Sequence, residues 1–580
     1  MRYVRMLTNA MAAGALAATY ITVLLLQLNP RLPLASAETA AWFRVLLSFY
    51  GLHTSIAIFA MLVVRDMIAA RALAPAWISV RLIAWMAALL AGGAAAGCWL
   101  NLRGFRAVLG EDAARGMAEG ASALTAAALL LAAVAIARYS FGRRGGRVAA
   151  AVLALIIAGS IAAPLSARAS IAPPLPVIAE RLDVGAARGT GTLRLVMLDG
   201  AALGFIRERI GTGRLPTFAR VLERGATLDL ASLKPTQPEP VWAAAATGKY
   251  PTGNGVRSAA RFRAGRGEAL VDILPDYCFA HALVYLGYVA SQPVESTDLR
   301  ARPLWSITSA AGVRSGIVRW PVSFPVAPLD GFVVSDRFHL TTGSPLRTDQ
   351  ARAAFPHEAV VATRAVFDAS MFNPWPEVLP AALPADAPAG GVTPVRWDRI
   401  YAEARRALEQ HRPVRLSAIR YQGVDTVAHT FLRYAQPHLF SEGSSADAAS
   451  FGLVLDRYYG FIDGEIAREI AQLQPGDLLL VISGFGMEPV TLPKRALAKL
   501  LGEPDLSGTH ERAPDGFLLA YGSDVAPGTL PRGAIVDLAP TVLYYLGLPV
   551  ARDMDGYART DLFTRAFTAS RPVTYIRTYE

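Results

Sequence analysis

Five long apolar segments within the first 168 residues constrain the fold of this chain more than any other feature of its sequence. They cover residues 7–28, 45–64, 82–100, 118–138 and 148–165 approximately. Each is long enough to cross the hydrocarbon core of a bilayer as an α-helix, which takes about 20 residues. The sequence therefore predicts an all-α membrane domain of five helices over residues 1–168.

The formal net charge of +11 is concentrated between these segments. Residues 1–168 contain 15 Arg, no Lys and five acidic residues, so they carry +10 of it. A basic chain can bind nucleic acid, but basic residues placed between apolar segments are typical of a multi-pass membrane protein. We therefore expect the lipid bilayer as a partner and no nucleic acid. Few polar residues lie inside the segments, so the sequence indicates no transport pathway.

The arginines also predict an orientation, because cytoplasmic loops of membrane proteins are enriched in Lys and Arg. Arginines precede the first segment, follow the second, and fill the loop between the fourth and fifth: Arg2, Arg5, Arg65, Arg71, Arg138, Arg143, Arg144 and Arg147. Arg103 and Arg106 fall on the opposite side and disagree with this assignment. The prediction is a multi-pass protein of the cell (inner) membrane, with the chain after residue 168 extracytoplasmic, in the periplasm.

The rest of the chain has the pattern of a linker and a folded domain. Residues 169–191 are rich in Pro and Gly and predict an exposed linker. In residues 192–580, buried strand patterns such as "LRLVML" and "DLLLVISGFG" alternate with helical patterns such as "VLDRYYGFIDGEIAREIAQL". This alternation predicts an α/β domain with a doubly wound, mostly parallel sheet.

Candidate site residues follow the strands of this predicted sheet. Ligands bind beyond the carboxyl ends of strands in such sheets, and Asp199, Asp425 and Gly484 fall at such ends. Asp425 and His429 are four residues apart, so on a helical turn they share one face and can share a metal ion. His510 in a later loop would complete the group. This spacing is common by chance, and each histidine can equally be an ordinary core or surface residue.

Residues 192–560 resemble the type I phosphodiesterase/nucleotide pyrophosphatase family of the alkaline phosphatase superfamily. Five segments carry the resemblance in family order: "LVMLDGA" (195–201), "PVWAAAATGKYPTGNGV" (240–256), "PLWSITSAAGVRSGIVRWPVSFPVAPLDGFVVSDRF" (303–338), "YQGVDTVAHTFLRY" (421–434) and "IVDLAPTVLYYLGLPVARDMDG" (535–556). The resemblance implies an alkaline phosphatase-like α/β fold with a cap-like insert over about residues 257–400.

The resemblance also implies a metal-dependent phosphoric ester hydrolase. Members of the family use two zinc-like ions that stabilise the charge of the phosphate and activate the nucleophile. Carried over to this sequence, one ion would bind Asp425, His429 and His510, and the other would begin with Asp199. We therefore expect zinc, or a similar divalent ion, as cofactor.

Three places in the sequence depart from the family pattern. Gly484 and Phe485 stand where the family has an Asp-His pair of ligands, so we expect one ion rather than two. Pro238 stands at the position of the nucleophilic Thr or Ser, and Asn254 replaces the His of a His-Gly pair. The nearest replacements for the nucleophile are Thr236 and Glu239, and we assign catalytic roles to Thr236 and to Asp199, which would orient a water molecule or act as base.

Two functional hypotheses remain open from the sequence. The first is a membrane-anchored extracytoplasmic phosphodiesterase or phosphatase with a single-metal site, acting on a phosphate-bearing small molecule or on a lipid or glycan headgroup. The second is a catalytically inactive family member, a pseudoenzyme that serves as a binding or assembly module of the cell envelope. Metal content and hydrolysis of a phosphodiester discriminate the two.

Overall fold

The computed structural model describes residues 1–68, 77–139, 147–168, 191–265, 270–274, 282–341, 347–370, 393–440, 451–500, 505–512 and 514–580. The chain divides into two compact units. The N-terminal unit comprises Met1–Pro174 and a later segment, Arg257–Pro293, and the α/β unit comprises Leu175–Val256 and Val294–Glu580. The predicted linker 169–191 lies, except for Gly191, outside the described residues.

The α-helices, numbered along the chain, are α1 (Arg2–Leu28), α2 (Ala37–Leu46), α3 (Leu52–Ile68), α4 (Val80–Leu109), α5 (Glu111–Val134), α6 (Arg147–Ser166), α7 (Leu203–Gly211), α8 (Pro216–Arg224), α9 (Pro238–Thr247), α10 (Pro251–Asn254), α11 (Ala282–Tyr285), α12 (Leu304–Ala310), α13 (Phe338–Thr341), α14 (Arg347–Ala353), α15 (His357–Ser370), α16 (Thr393–His411), α17 (Gly423–Ala435), α18 (Val454–Gln472), α19 (Leu492–Leu500), α20 (Leu538–Tyr545) and α21 (Arg565–Ser570). Short π-helical turns, Leu47–Gly51 and Ala135–Tyr139, join α2 to α3 and extend α5.

The strands are β1 (Leu193–Leu198), β2 (Ala226–Ala231), β3 (Ala260–Ala264), β4 (Val289–Pro293), β5 (Ser315–Val318), β6 (Gly331–Val334), β7 (Ala354–Phe355), β8 (Leu416–Tyr421), β9 (Leu478–Phe485), β10 (Glu488–Pro489), β11 (Gly508–Thr509), β12 (Asp515–Gly522), β13 (Gly528–Thr529), β14 (Gly533–Ala534), β15 (Val550–Ala551) and β16 (Tyr575–Ile576).

All five predicted apolar segments are helical in the N-terminal unit. Within the described part of the chain, four helices are long and apolar enough to cross a membrane, namely Arg2–Leu28, Ala37–Ile68, Val80–Leu109 and Glu111–Ala137. The described apolar stretch of the fifth, α6, is shorter and covers Ala150–Ser166. The N-terminal region is therefore consistent with a membrane anchor.

Small residues and a few buried polar contacts hold these helices together. Alanines of α4 and α5 pack in a core with Tyr20 and Leu24 of α1, as expected where small side chains let helix backbones approach closely. The Tyr20 hydroxyl lies 2.7 Å from Oγ of Ser160 on α6. Gln27 of α1 donates a hydrogen bond to the carbonyl oxygen of Pro164, which α6 carries within its last turn.

The segment 257–293 packs on this helical bundle. Its strands β3 and β4 pair antiparallel, and Phe262 and Leu283 lie in one core with Leu25 and Trp42. Asn29, just after α1, donates from Nδ2 to the carbonyl oxygen of Ile273 at 3.0 Å. Its Oδ1 accepts from two backbone N–H groups of the same segment, those of Asp272 at 3.0 Å and Ile273 at 3.1 Å. These contacts make the segment part of the N-terminal unit.

The α/β unit is built on one large sheet with strand order β13–β2–β12–β9–β1–β8–β5–β6–β7. The five strands from β9 to β6 are parallel. β12 runs antiparallel between β9 and β2, and β7 runs antiparallel at the edge. Residues of β1 alternate between two apolar cores, for example Leu195 in one and Val196 in the other, so both faces of the sheet are covered. The predicted doubly wound, mostly parallel sheet is confirmed.

The described residues within 257–400, predicted as one cap-like insert, fall in two different parts of the structure. Residues 257–293 belong to the N-terminal unit, whereas β5, β6 and β7 are strands of the central sheet. The apolar run "SGIV" of β5 is buried and parallel to β8 over its whole length. A run of this kind is typical of an inner strand of a parallel sheet.

Candidate metal centre

Asp425, His429 and His510 meet at the carboxyl ends of the central strands. β8 ends at Tyr421, and α17 begins two residues later and carries Asp425 and His429 one turn apart. His510 directly follows β11, which pairs with β10 beyond the end of β9. One ligand atom from each of the three residues lies within 4.8 Å of the others. Among the residues that the structure describes, this is the one group of at least three His, Cys, Asp or Glu residues arranged in this way.

Backbone carbonyl groups fix both imidazole rings. Nδ1 of His429 lies 2.8 Å from the carbonyl oxygen of Gly508, and Nδ1 of His510 lies 2.9 Å from that of Thr236. A carbonyl oxygen only accepts, so each Nδ1 carries the proton and each neutral ring has its lone pair on Nε2. These Nε2 atoms lie 3.5 Å (His429) and 3.7 Å (His510) from the carboxylate of Asp425. Metal-binding histidines are commonly oriented by such outer hydrogen bonds.

The electrostatics of the three residues favour a cation between them. Oδ1 of Asp425 is buried and has no hydrogen-bond partner among the described residues. Burial would raise the pKa of Asp425, but the interaction with His429 outweighs it and lowers the pKa. Burial likewise opposes the protonation of His429, but Asp425 raises its pKa above the usual value. A set of two imidazoles and one carboxylate fits a zinc-like divalent ion with one position left for water or substrate.

Asp199, predicted as a ligand and as a catalytic residue, lies in an ion pair instead. Nε of Arg420 donates to its Oδ2 at 2.9 Å, and Nη2 of Arg420 donates to the same oxygen. Nε1 of Trp242 donates to Oδ1 at 2.7 Å. Burial raises the pKa of Asp199, and the guanidinium of Arg420 opposes that rise. Because both carboxylate oxygens already have charged or polar partners, the structure does not place Asp199 as a free ligand or base.

Packing closes the place of the two missing ligands. A Cβ atom at Gly484 would lie 2.6 Å from Cγ1 of Val241 and 3.4 Å from Cζ2 of Trp242. The Phe485 side chain is fully buried, and its ring lies 4.9 Å from the ring of His510. Val241 and Trp242 therefore occupy the space that a side chain at Gly484 would need, and Trp242 and Arg420 bond the carboxylate of Asp199.

The remaining predicted positions have structural roles. Pro238 occupies the first turn of α9, where a proline is favoured because its missing N–H would have no helical partner. The hydroxyl of Thr236 is buried and donates to the carbonyl oxygen of Leu233 at 2.8 Å. The buried Asn254 bonds the carbonyl of Lys249 and the N–H of Val256. Thr236 thus supports the ring of His510 through its backbone, and its hydroxyl is not a free nucleophile.

A second group of buried charges lies beside Arg420, and of its members the sequence indicated a role only for Glu239, as a replacement for the nucleophile. Glu239 is half-buried as a residue, but its Oε2 is buried without a hydrogen-bond partner among the described residues, as is Oδ1 of Asp336. Burial raises the pKa of Glu239 to about 7, and the charges of Asp336 and Asp199 add to this effect while Arg420 opposes it. Burial also raises the pKa of Asp336. The feature of the sequence that could have indicated this group is Arg420, a charged residue within the buried strand "LSAIRY".

Known proteins place this site in a family. The family model of the type I phosphodiesterase/nucleotide pyrophosphatase family matches residues 193–526. Among solved structures, the chain is similar to murine ectonucleotide pyrophosphatase/phosphodiesterase 5, with 13% identity, a TM-score of 0.38, and coverage of 64% of this chain and 100% of that chain. The human protein of the same name matches with 12% identity, a TM-score of 0.38, and coverage of 64% and 100%. No curated protein sequence matches.

The family match covers more than half of the chain, from β1 to the turn after β12. It contains the Asp425–His429–His510 group, the ion pair of Asp199 with Arg420, and the altered positions Pro238 and Gly484. On this evidence the chain belongs to the type I phosphodiesterase/nucleotide pyrophosphatase family.

Proposed function

We propose that this protein is a membrane-anchored, extracytoplasmic hydrolase of a phosphate ester or diester that uses one divalent metal ion. The observation that carries the proposal is the arrangement of Asp425, His429 and His510, in which the Nε2 atoms of both rings lie beside a buried carboxylate whose Oδ1 has no hydrogen-bond partner among the described residues. Family membership supports hydrolase chemistry on a phosphate ester, and the family is generally metal-dependent. The apolar helices of the N-terminal unit support the membrane location.

Each group of the site has a role in this proposal. A bound ion would supply Lewis-acid stabilisation of the phosphate and a more acidic water molecule. Asp425, His429 and His510 would hold it, with Gly508 and Thr236 fixing the rings. Arg420 and Asp199 neutralise each other, so this part of the site requires no second ion. The substrate class we propose is a phosphate-bearing small molecule or a lipid or glycan headgroup.

Glu239 is the proposed proton donor to the leaving oxygen. It lies three residues after Thr236, whose carbonyl holds His510, and next in the chain to Pro238 at the nucleophile position of the family. A carboxyl group that titrates near neutral pH is suited to this step, because it is protonated in a useful fraction and still acidic. The proton would move from the Glu239 carboxyl to the departing alkoxide oxygen and return from the water that hydrolyses the ester.

A catalytically inactive member that binds a phosphate-bearing ligand is the second candidate function. The observation in its favour is that neither Pro238 nor the bonded hydroxyl of Thr236 offers a nucleophile. The closed volume next to Gly484 points the same way, because the second metal site of the family is absent from the described residues.

Metal content of the purified full-length protein tests the first proposal. We expect about one zinc-like ion per chain, lost in His429→Ala and retained in His438→Ala, which changes an exposed histidine on the turn after α17. Hydrolysis of a chromogenic phosphodiester by the same samples separates the candidates. A bound ion with no hydrolysis favours the binding protein, and a wild-type protein that binds no ion contradicts the metal-dependent proposal.

A further inference from the structure

The segment 282–289 lies on the N-terminal unit with an apolar side that faces away from it. Leu283 is fully buried in the core that β3, β4 and the ends of α1 and α2 form. Tyr285, Leu286 and Tyr288 point outward and are 84%, 53% and 37% exposed. Leu283 and Val289 pack in this core, and Asn29 accepts hydrogen bonds from residues 272 and 273 of the segment 257–293. The exposed side is therefore attached to a packed part of the N-terminal unit.

The exposed side is continuous with the surface of an apolar helix. The ring of Tyr288 lies 5.6 Å from the ring of Phe49 at an angle of 66°, and Phe49 packs edge-on against Tyr50. Both residues lie in the π-helical turn between α2 and α3, within the helix Ala37–Ile68 that is long and apolar enough to cross a membrane. Leu52 and Ile56, one and two turns further along, are exposed as well.

Aromatic residues at this position are typical of a membrane interface. Tyr and Trp are enriched where membrane helices pass from the headgroups into the hydrocarbon, because their rings are apolar and their hydroxyl or N–H groups are polar. Tyr50 and Tyr288 both pack on Phe49, near residue 45 where the apolar segment begins, and Tyr285 lies three residues before Tyr288 on the same exposed segment. We propose that residues 282–288 form an interfacial anchor that inserts into the headgroup and upper acyl region of phospholipids.

The contacts of this segment favour lipid over a protein partner. The exposed residues are a short cluster that continues the exposed apolar face of α3, and a face of this kind on a membrane helix is solvated by lipid. The inference rests on the proposed membrane anchorage, so its test includes a reporter of the anchorage itself.

Site-specific fluorescence in phospholipid nanodiscs tests the proposal. In full-length protein with Cys98 and Cys278 changed to Ala, single cysteines replace Leu286, Ile56 or Glu223 and carry an environment-sensitive fluorophore. Glu223 is an exposed residue at the end of α8 in the α/β unit. Phospholipids spin-labelled near the headgroup or deep in the acyl chain serve as quenchers, and Tyr285→Cys is a second reporter if the Leu286 variant does not fold.

We expect a blue-shifted emission at position 286 that headgroup-level spin labels quench more strongly than deep ones. Position 56 should be quenched, and position 223 should not. Quenching at 56 without quenching at 286 or 285 overturns the interfacial anchor and leaves the membrane anchorage intact, including the case in which a protein partner covers the patch. Loss of quenching at 56 as well would contradict the membrane anchorage on which the inference rests.

Discussion

At the scale of single residues, Asp199, which the family resemblance predicts as a metal ligand, is bound in an ion pair with Arg420. Both side chains are buried, at 0% and 4% exposure, so removal of one partner leaves an uncompensated charge in the interior. We expect Arg420→Met to destabilise the α/β unit by about 3–5 kcal/mol. The double variant Asp199→Asn/Arg420→Met should recover a large part of this loss, as measured by denaturation of the full-length protein in detergent.

An exposed pair provides the control for that experiment. Arg364 and Asp368 are four residues apart on α15, with both side chains more than a third exposed. Arg364→Met should change the stability by less than about 1 kcal/mol, since exposed ion pairs contribute little. If Arg420→Met and Arg364→Met reduce the free energy of unfolding equally, the expected effect of burial on the Arg420–Asp199 pair is contradicted.

Gly484 gives a second residue-scale prediction. Because a Cβ there would lie 2.6 Å from Val241, Gly484→Ala should destabilise the protein by about 1–3 kcal/mol through overpacking. Gly464→Ala on α18 is the matched control, because no atom lies within 4 Å of its Cβ position, and alanine favours a helix over glycine. For the same reason, the triple variant Pro238→Thr/Gly484→Asp/Phe485→His should not bind a second metal ion. A second ion detected by elemental analysis would contradict this prediction.

The carboxyl group of Glu239 predicts a pH dependence of stability. Its pKa rises from 4.5 to about 7 in the folded protein because of burial, so folding favours the protonated form. This contribution is fully present below the unfolded pKa and is lost as the pH rises through about 7. Between pH 5 and pH 8, wild type should lose on the order of 2 kcal/mol relative to Glu239→Gln, whose side chain stays neutral. If the free energies of unfolding of wild type and Glu239→Gln change by the same amount across this pH range, the raised pKa of Glu239 is disproved.

These residues show what could and could not be predicted from the sequence. Asp425 and His429 are one helical turn apart, so their common face could be inferred from spacing alone. Arg420 and Asp199 are 221 residues apart in sequence, and only the parallel pairing of β1 with β8 brings them together. The altered positions Gly484 and Phe485 could be recognised from the family resemblance. The side chains of Val241 and Trp242, which occupy the space that a side chain at Gly484 would need, could not be predicted.

At the scale of elements, the same limit applies to the predicted insert over residues 257–400. The strand pattern of β5 is visible in the sequence, but its place between β8 and β6 is a matter of long-range pairing. The segment 257–293 shows the converse case. Nothing in its own sequence indicates the hydrogen bonds from Asn29, which join residues more than 240 positions apart.

Asn29 therefore carries a prediction about this element. In Asn29→Ala, the N–H groups of Asp272 and Ile273 lose their acceptor, and a buried donor without an acceptor is unfavourable by about 1–3 kcal/mol. We expect faster hydrogen exchange at these two amides and easier proteolysis of residues 257–293. Thr19→Ala on the same helix is the control, because among the described residues its hydroxyl bonds the carbonyl of Ala15 in the preceding turn of its own helix. Unchanged exchange in Asn29→Ala would contradict the role of this clamp.

At the scale of the whole molecule, the side of the membrane on which the α/β unit lies depends on one helix. Four of the described helices are long and apolar enough to cross, and the described apolar stretch of α6, Ala150–Ser166, is shorter, so without a crossing by α6 the chain would return to the side of its N-terminus. A fifth crossing by α6 places residues 191–580 on the opposite side. The arginines at positions 138, 143, 144 and 147 favour the cytoplasm for the start of α6 by the positive-inside rule.

Reporter fusions decide between four and five crossings. An enzyme that is active only outside the cytoplasm, fused after residue 144, should be inactive, whereas the same enzyme fused after residue 190 should be active. A reporter that fluoresces only in the cytoplasm should give the opposite result at both points. Replacing the four arginines with neutral residues should weaken this orientation, since the positive charges fix the loop inside. If both fusions report a cytoplasmic position, α6 does not cross the membrane. The α/β unit would then lie in the cytoplasm, which would contradict the proposed extracytoplasmic location of the hydrolase.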